Sequence, residues 1–138
     1  MSRFASPRDL GSVYRKTGVE IDVHGASPHR LVAMLFDGLM EALAQAQGAI
    51  ASRNIEAKAN AISRAVRILD EGLKSALDLK EGGRLAADLN DLYAYVSLRL
   101  TQANLRNDLQ ALDECKQLIQ PLRQAWADIA PHAEQGAR

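Results

Sequence analysis

Hydrophobic residues recur at spacings of three, four or seven positions along four successive stretches of the chain, with polar and charged residues between them. This is the spacing of one apolar face on an α-helix. The positions are Leu31, Leu35, Leu39, Leu43 and Ile50; Ile55, Ile62, Val66, Leu69 and Leu73; Leu85, Leu89, Leu92, Val96, Leu100 and Ala103; and Leu109, Leu112, Cys115, Ile119, Leu122, Trp126 and Ile129. Four apolar faces can close around one core, so the pattern predicts an all-α fold.

Capping residues set the bounds of the four predicted helices. Ser27 can accept hydrogen bonds from free backbone N–H groups and Pro28 is favoured in a first turn, so the first helix is predicted over residues 28–52. The second is capped by Asn54 and ends near Leu79, the third spans 84–106 after Gly82-Gly83, and the fourth is capped by Asp108 and ends near Ala130, before Pro131. Short connections predict an antiparallel up-down four-helix bundle over residues 27–130, with a tail at 131–138.

Residues 1–26 form a leader in which Ser, Pro, Gly and charged residues are interleaved. After Phe4, its sizeable apolar residues are Leu10, Val13, Tyr14, Val19, Ile21 and Val23. The leader either docks on the bundle without being needed for the fold of the bundle, or frays as many termini do.

Composition and charge narrow the class of partner. Hydrophobic residues make up 47% of the chain and aromatic residues only 4%, so the core must consist mainly of Leu, Ala, Ile and Val, a mixture that favours helices. The 17 Lys and Arg residues balance the 17 Asp and Glu residues, so no net positive field attracts nucleic acid or an anionic membrane. We therefore expect no nucleic-acid partner.

Cysteine usage and hydropathy predict the compartment. Cys115 is the only cysteine, which excludes a disulfide within the chain and favours a reducing environment. The sequence starts without an apolar targeting segment, and its longest apolar run, 31–36, is far shorter than the roughly 20 residues of a membrane-spanning helix. We expect a cytoplasmic protein without membrane insertion.

No constellation of residues predicts a catalytic, cofactor or metal site. A di-iron bundle needs Glu-x-x-His pairs, which this sequence lacks, and His24, His29 and His132 lie in the leader, at a helix start and beyond the last helix. A phosphotransfer bundle is disfavoured because His29 falls in a first helical turn and not mid-helix. Cys115 lies on a buried face without an adjacent His and should be inert. Gly82-Gly83 lacks the strand and the following Lys of a phosphate loop.

Some helices carry more apolar surface than one core-facing stripe requires. The additional positions are Ala86, Tyr93 and Leu100, with Tyr95 and Leu98, on the third helix, and Ala65, Ile68 and Leu77 on the second. These residues either form a groove for an amphipathic partner helix, or widen the core and lie under the leader.

Four sequence blocks resemble one known family. They are Ala-Ser-Pro-His-Arg-Leu-Val-Ala-Met-Leu-Phe-Asp-Gly at 26–38, Leu-Tyr-Ala-Tyr at 92–95, Ala-Asn-Leu-Arg-Asn-Asp at 103–108 and Leu-Arg-Gln-Ala-Trp at 122–126. Blocks of this kind, in this order, resemble the FliS family of flagellar secretion chaperones. The resemblance extends from about Tyr14 to Ile129.

The resemblance implies an antiparallel helical bundle that binds the C-terminal segment of flagellin in the cytoplasm. It also implies that binding prevents premature polymerisation, and that flagellin then passes to the type III export apparatus, whose gate components are further expected partners. A homodimer stays open, as does the alternative of a helical-bundle adaptor for another client.

The resemblance also implies roles for individual residues. Tyr14 matches a leader tyrosine that packs on the bundle as a lid and gives way to the client. The residues implied as groove or core positions are Leu69, Leu92, Tyr93, Val96 and Leu100. Phe36 stands where the family usually has Tyr, so a hydrogen bond from that hydroxyl is absent. Pro121 falls inside the fourth helix, where it should kink or divide the helix and reshape one end of the groove.

Overall fold

The computed structural model describes residues 27–129 and contains four helices joined by turns. In chain order these are α1, Pro28–Ala51; α2, Ile55–Arg67, which continues as a π-helical segment, Ile68–Leu73; α3, Gly83–Arg106; and α4, Leu109–Asp128. The predicted all-α helical bundle is therefore confirmed. The leader with Tyr14 and the tail lie outside the described residues.

The helix starts follow local capping signals, as predicted. The Oγ atom of Ser27 accepts a hydrogen bond from the Arg30 backbone N–H at 3.1 Å, and Pro28 is the first residue of α1. The side chains of Asn54 and Asp108 accept in the same way at the starts of α2 and α4, at 3.0 and 3.1 Å. Each cap satisfies a backbone N–H that has no partner within its own helix.

The second helix is shorter than predicted: its helical backbone ends at Leu73, not near Leu79. A turn centred on Asp78 replaces the missing residues, because the Asp78 carboxylate accepts from the backbone N–H groups of Lys80 and Glu81 at 3.1 and 3.0 Å. Local side-chain bonds of this kind compete with helix formation.

Two glycines complete this turn. A Cβ atom on Gly82 would lie 2.6 Å from both the Cβ of Ala86 and the carbonyl oxygen of Asp78, so any larger residue would clash with the backbone. Gly83 has a φ of 60°, a conformation that residues with a Cβ rarely adopt. The prediction that Gly82-Gly83 is a turn and not a phosphate loop is consistent with this geometry.

The helices pack in a ring that follows the chain order. Helix α1 contacts α2 and α4, and α3 also contacts α2 and α4. Side-chain pairs run in opposite directions along α1 and α4: His29 contacts Trp126 near one end, and Gln47 accepts from Lys116 near the other. These two helices are therefore antiparallel, while the up-down order of the whole bundle stays a prediction.

The core occupies the centre of this ring and is mostly aliphatic. Its largest fully buried side chains are Leu31, Leu35, Leu39, Leu43, Ile68, Leu69, Leu73, Leu100, Leu112 and Ile119. Several predicted core positions near helix ends are instead exposed, notably Ile55, Leu85, Leu109 and Ile129. They lie at or close to the first or last turn of a helix, where a neighbouring helix no longer covers them.

The buried face of α3 differs from the predicted stripe in its first half. Leu85 is exposed and Leu89 is only half-buried, whereas Ala86 and Tyr93 are buried. In this part of α3, the side chains that face the core are therefore Ala86 and Tyr93, which the sequence pattern places beside the core stripe. The prediction that Leu85 and Leu89 face the core was wrong for Leu85.

Pro121 does not divide the fourth helix, which runs unbroken from Leu109 to Asp128. The proline removes the hydrogen bond to the carbonyl of Gln117. Both residues are exposed, so water can satisfy that carbonyl. The prediction of a divided helix is therefore wrong, because the lost bond falls on the solvent side of α4.

Lys58 secures the end of α3 from a neighbouring helix. Its side chain is buried, and its Nζ donates to the carbonyl oxygen of Asn104 at 2.9 Å and to Oδ1 of Asn107 at 2.6 Å. Asn107 itself ends α3 in the left-handed conformation, with a φ of 51°. A cation at a helix C-terminus also interacts favourably with the helix dipole.

None of the helices in the described part of the chain combines the length and the apolar character needed to cross a bilayer.

Candidate functional site

An apolar groove of about 360 Å³ opens at one end of the bundle. Its walls are the N-terminal half of α3 and the C-terminal half of α4, its floor is α1, and the segment after Ile68–Leu73 closes one end. The lining residues are Val32 and Phe36; Leu73, Ala76, Leu77 and Gly82; Leu85, Ala86, Leu89 and Tyr93; and Leu122, Ala125, Trp126 and Ile129. None of these side chains carries a charge.

The groove exists because α3 and α4 do not cover each other along this part of their length. Leu85 on α3 is 60% exposed and Ile129 on α4 is 45% exposed, although both helices present apolar residues here. Small residues widen the space between them, because Ala86 and Ala125 lie where longer side chains would fill it. Exposed apolar surface of this kind marks a binding groove more often than a solvated face.

A reciprocal contact between His29 and Trp126 fixes the α4 wall to the first turn of α1. The two rings stack with centroids 4.7 Å apart and planes 5° from parallel. The Nε2 of His29 donates to the carbonyl oxygen of Trp126, and the indole Nε1 donates to the carbonyl oxygen of His29, both at 2.8 Å. The histidine is buried and holds the two helices together.

An ion pair joins the same two helices further along, about one turn from Trp126 on α4 and about two turns from His29 on α1. Arg123 Nε lies 2.7 Å from Asp37 Oδ1, and both side chains are largely exposed. An exposed pair of this kind contributes little to stability. The stacked pair of His29 and Trp126 is therefore the stronger link between the α4 wall and the floor of the groove.

Tyr93 forms part of the α3 wall. Only 3% of its surface is exposed, and burial raises the pKa of its hydroxyl above the ordinary value. No residue in the range 27–129 bonds to the hydroxyl. The side chain lines the groove.

The remainder of the α3–α4 interface is closed by side chains that reach across it. Glu114 on α4 accepts from Arg99 Nε at 2.8 Å and from the Tyr95 hydroxyl at 2.9 Å. Both bonds lower the pKa of Glu114, and the bond from Arg99 has the larger effect. The hydrogen bond between Tyr95 and Glu114 in turn raises the pKa of Tyr95. We call 95–100 with 112–119 the closed half of the interface, and 85–93 with 122–129 the open half.

Cys115 lies in the closed half and is fully buried, as predicted. Burial raises the pKa of its thiol to about 12, with a further contribution from the nearby Glu114 carboxylate. Its Sγ lies 3.9 Å from the carbonyl oxygen of Val96. A thiol with such a pKa is almost entirely protonated at neutral pH and is a poor nucleophile.

The predicted client-contacting residues fall in different environments. Tyr93 lines the groove and Leu92, next to it on α3, is half-buried. Leu69, Val96 and Leu100 are fully buried in the core. Contact of these residues with a client stays a prediction, and for the last three it would require the core to open.

Sequence reasoning assigned most of the groove lining to the core. Phe36, Leu85, Leu89, Leu122 and Trp126 all lie on predicted core stripes or in family motifs, but were not recognised as groove residues. The signal in the sequence is the set of additional apolar positions on the second and third helices, of which Leu77, Ala86 and Tyr93 do line the groove. Tyr95 and Leu98, the predicted flank of the row on the third helix, are exposed outside the groove.

The chemistry of the groove is that of binding. Between residues 27 and 129, no three His, Cys, Asp or Glu side chains are close enough together to hold a metal ion. The groove lining offers no charged group for acid or base catalysis, and its polar side-chain atoms are confined to Tyr93 and Trp126. An apolar segment of another polypeptide is the ligand that such a surface fits.

Comparison with known proteins gives a consistent result. The family model described as "Flagellar protein FliS" matches residues 11–133. The flagellar secretion chaperone FliS of Salmonella typhimurium is 45% identical over 120 residues, which cover 87% of this chain and 89% of the relative. The flagellar secretion chaperone FliSB of Pseudomonas aeruginosa is 40% identical, over 85% of this chain and 92% of the relative. FliS of Escherichia coli is 39% identical, over 83% and 85%.

Proposed function

This chain belongs to the FliS family of flagellar secretion chaperones, and from that premise we propose that it binds the C-terminal segment of flagellin in the cytoplasm. Binding keeps flagellin from polymerising before export and supports its delivery to the flagellar type III secretion apparatus. The family is one of chaperones and not of enzymes. The alternative is a helical-bundle adaptor for another client, and the titration described below separates the two.

The observation that carries this proposal is the apolar groove between the open halves of α3 and α4. An amphipathic helix can lay its apolar face into a groove of this kind, with anchors at helical spacing. The family resemblance implies that the C-terminal segment of flagellin exposes the apolar faces with which flagellin subunits associate. Burying them on a chaperone would prevent self-association.

The conformational entropy that the client loses on binding favours a contact larger than the groove alone. A segment that is disordered when free loses conformational entropy on binding, and this loss must be offset by buried apolar surface. Exposed apolar residues outside the groove, such as Leu105 on α3 and Ile55 on α2, are available to a client that wraps around the bundle. We therefore assign the groove to the anchoring part of the client.

The leader is the second component of the proposal. The chain enters α1 at Ser27, and the first turns of α1 contribute Val32 and Phe36 to the groove floor. A leader joined at this point can reach the groove, so we propose that Tyr14 and its apolar neighbours occupy it in the free protein and leave when the client binds. Contacts with export-gate components belong to the same proposal.

Isothermal titration of the full chain with a peptide covering the C-terminal segment of flagellin from the same organism tests the client assignment. We expect saturable binding near one to one with a negative heat-capacity change, because apolar surface is buried. Flagellin lacking that segment is the control and should not bind. Absence of binding by the peptide would refute the flagellin assignment, and the client would then be sought by co-purification.

Deleting residues 1–24 tests the leader. Because a tethered segment competes at high effective concentration, its removal should raise the affinity for the flagellin peptide while the melting temperature changes little. A collapse of the fold would show that the leader builds the core, and an unchanged affinity would show that it does not cover the groove.

A further inference from the structure

The groove contains very few polar atoms, and their hydrogen bonding is unequal. Among the lining side chains only Tyr93 and Trp126 have a polar atom. The indole N–H of Trp126 already donates to the carbonyl oxygen of His29 at 2.8 Å. The Tyr93 hydroxyl has no hydrogen-bond partner within the described part of the chain.

This free hydroxyl matters once the groove is covered. Tyr93 lines the groove, and no residue in the range 27–129 bonds to its hydroxyl. A client that fills the groove keeps water from this side chain, and a hydroxyl buried without a partner then opposes binding. A client that places a hydrogen-bonding group opposite Tyr93 avoids this cost, so the hydroxyl distinguishes one apolar segment from another.

We propose that Tyr93 is a specificity-determining residue of the groove, whose hydroxyl donates a hydrogen bond to an acceptor oxygen of the bound client segment. This inference rests on the proposed function, because it names the polar contact made by a client in the same groove. The acceptor is a carbonyl, amide or carboxylate oxygen on an otherwise apolar face.

The role of donor follows from the surroundings of Tyr93. Its ring is buried against apolar residues, and burial favours the protonated hydroxyl. No charged side chain lines the groove to remove or replace that proton. The hydroxyl is therefore protonated at neutral pH and available as a donor.

Tyr95 provides a matched control within the same sequence block. It lies two residues further along α3, outside the groove, and its hydroxyl donates to Glu114 at 2.9 Å. Its ring is 42% exposed, whereas that of Tyr93 is buried. The same chemical change, Tyr to Phe, therefore removes an unused hydroxyl from the groove at one position and an intramolecular bond outside the groove at the other.

The test is to compare Tyr93→Phe and Tyr95→Phe in the full chain, by titration with the C-terminal flagellin peptide and by thermal melting. Tyr93→Phe should weaken peptide binding about tenfold, because the acceptor of the client is left buried without a donor. Its melting temperature should not fall, because no internal bond is lost. Tyr95→Phe should show the opposite pattern, with unchanged affinity and a slightly lower melting temperature.

The outcomes separate this inference from the function on which it rests. If Tyr93→Phe binds as tightly as the unaltered chain, or more tightly, the hydroxyl has no partner in the complex and the inference is overturned. If the unaltered chain does not bind the peptide at all, the proposed client is wrong, and so is the inference as stated. Equal weakening by both variants would likewise overturn it, because the effect would not be specific to the groove.

Discussion

The two halves of the α3–α4 interface are built by the same pair of helices but have opposite properties. In the closed half, Arg99 and Tyr95 reach across to Glu114, and the Cys115 thiol lies in the buried core next to Val96. In the open half, apolar side chains of both helices line the groove. The same helix pair thus holds itself together in one half and leaves an apolar groove between its helices in the other.

The largest expected effect is on the closed half. Leu112 is fully buried on α4, so Leu112→Ala should lower the free energy of unfolding by about 2 to 5 kcal/mol through lost packing and a residual cavity. Ile119→Ala, also fully buried, should behave similarly. Urea denaturation measures the change. A loss below about 1 kcal/mol for both variants would mean that the closed half does not stabilise the bundle.

The open half should respond in affinity and not in stability. Leu85→Glu places a charge on the α3 wall, where the side chain is already 60% exposed, so the free energy of unfolding should change by less than about 0.5 kcal/mol. Binding of the flagellin peptide should weaken by about 2 kcal/mol, or roughly 30-fold, because the client would have to bury an unpaired charge.

Leu98→Glu is the matched control for this variant. Leu98 lies on the same helix with 56% exposure but does not line the groove. It should bind the peptide far better than Leu85→Glu does. Equal weakening by the two variants would show that the client binds the outer face of α3 and not the open half.

The comparison also shows which parts of the molecule a single sequence can predict. At the helix starts, the side chains of Ser27, Asn54 and Asp108 each accept a hydrogen bond from the backbone N–H three residues later. Such local signals are visible in the sequence. The end of α2 was missed because the turn that replaces its last residues depends on Asp78, which does not alter the apolar spacing.

The open half was harder to predict, for a physical reason. Periodicity shows which residues share a helix face, but it does not show whether a neighbouring helix covers that face. Leu85 and Leu112 both fall on regular stripes, yet the first is 60% exposed and the second is fully buried. The contact of His29 with Trp126 joins residues 97 positions apart, and one sequence contains no local signal for it.

A smaller effect is expected at that contact. His29→Ala removes the ring stacked on Trp126 and the donor to its carbonyl oxygen, which should lower the free energy of unfolding by about 1 kcal/mol. Peptide binding should also weaken, because Trp126 forms part of the groove wall. His29→Phe retains a stacking ring and should recover part of both losses. If neither variant alters binding, the position of Trp126 is set by other contacts.

The smallest effect should appear in acid and only in the closed half. The Arg99 and Tyr95 bonds lower the pKa of Glu114 in the folded state, so they add stability above the ordinary pKa of a glutamate, and that stability is lost as the pH falls through the lowered value. Glu114→Gln removes this titration. The unaltered chain should therefore lose more stability than Glu114→Gln when urea denaturation is repeated from neutral pH to below about pH 4. The difference should be slight because the pair is partly exposed and screened by solvent.

The open half offers a contrasting control, since Leu85→Ala alters no titrating group and should keep the pH profile of the unaltered chain. Identical profiles for all three proteins would mean that the hydrogen bonds to Glu114 do not help to hold the closed half together, and its stability would then come from the buried residues alone.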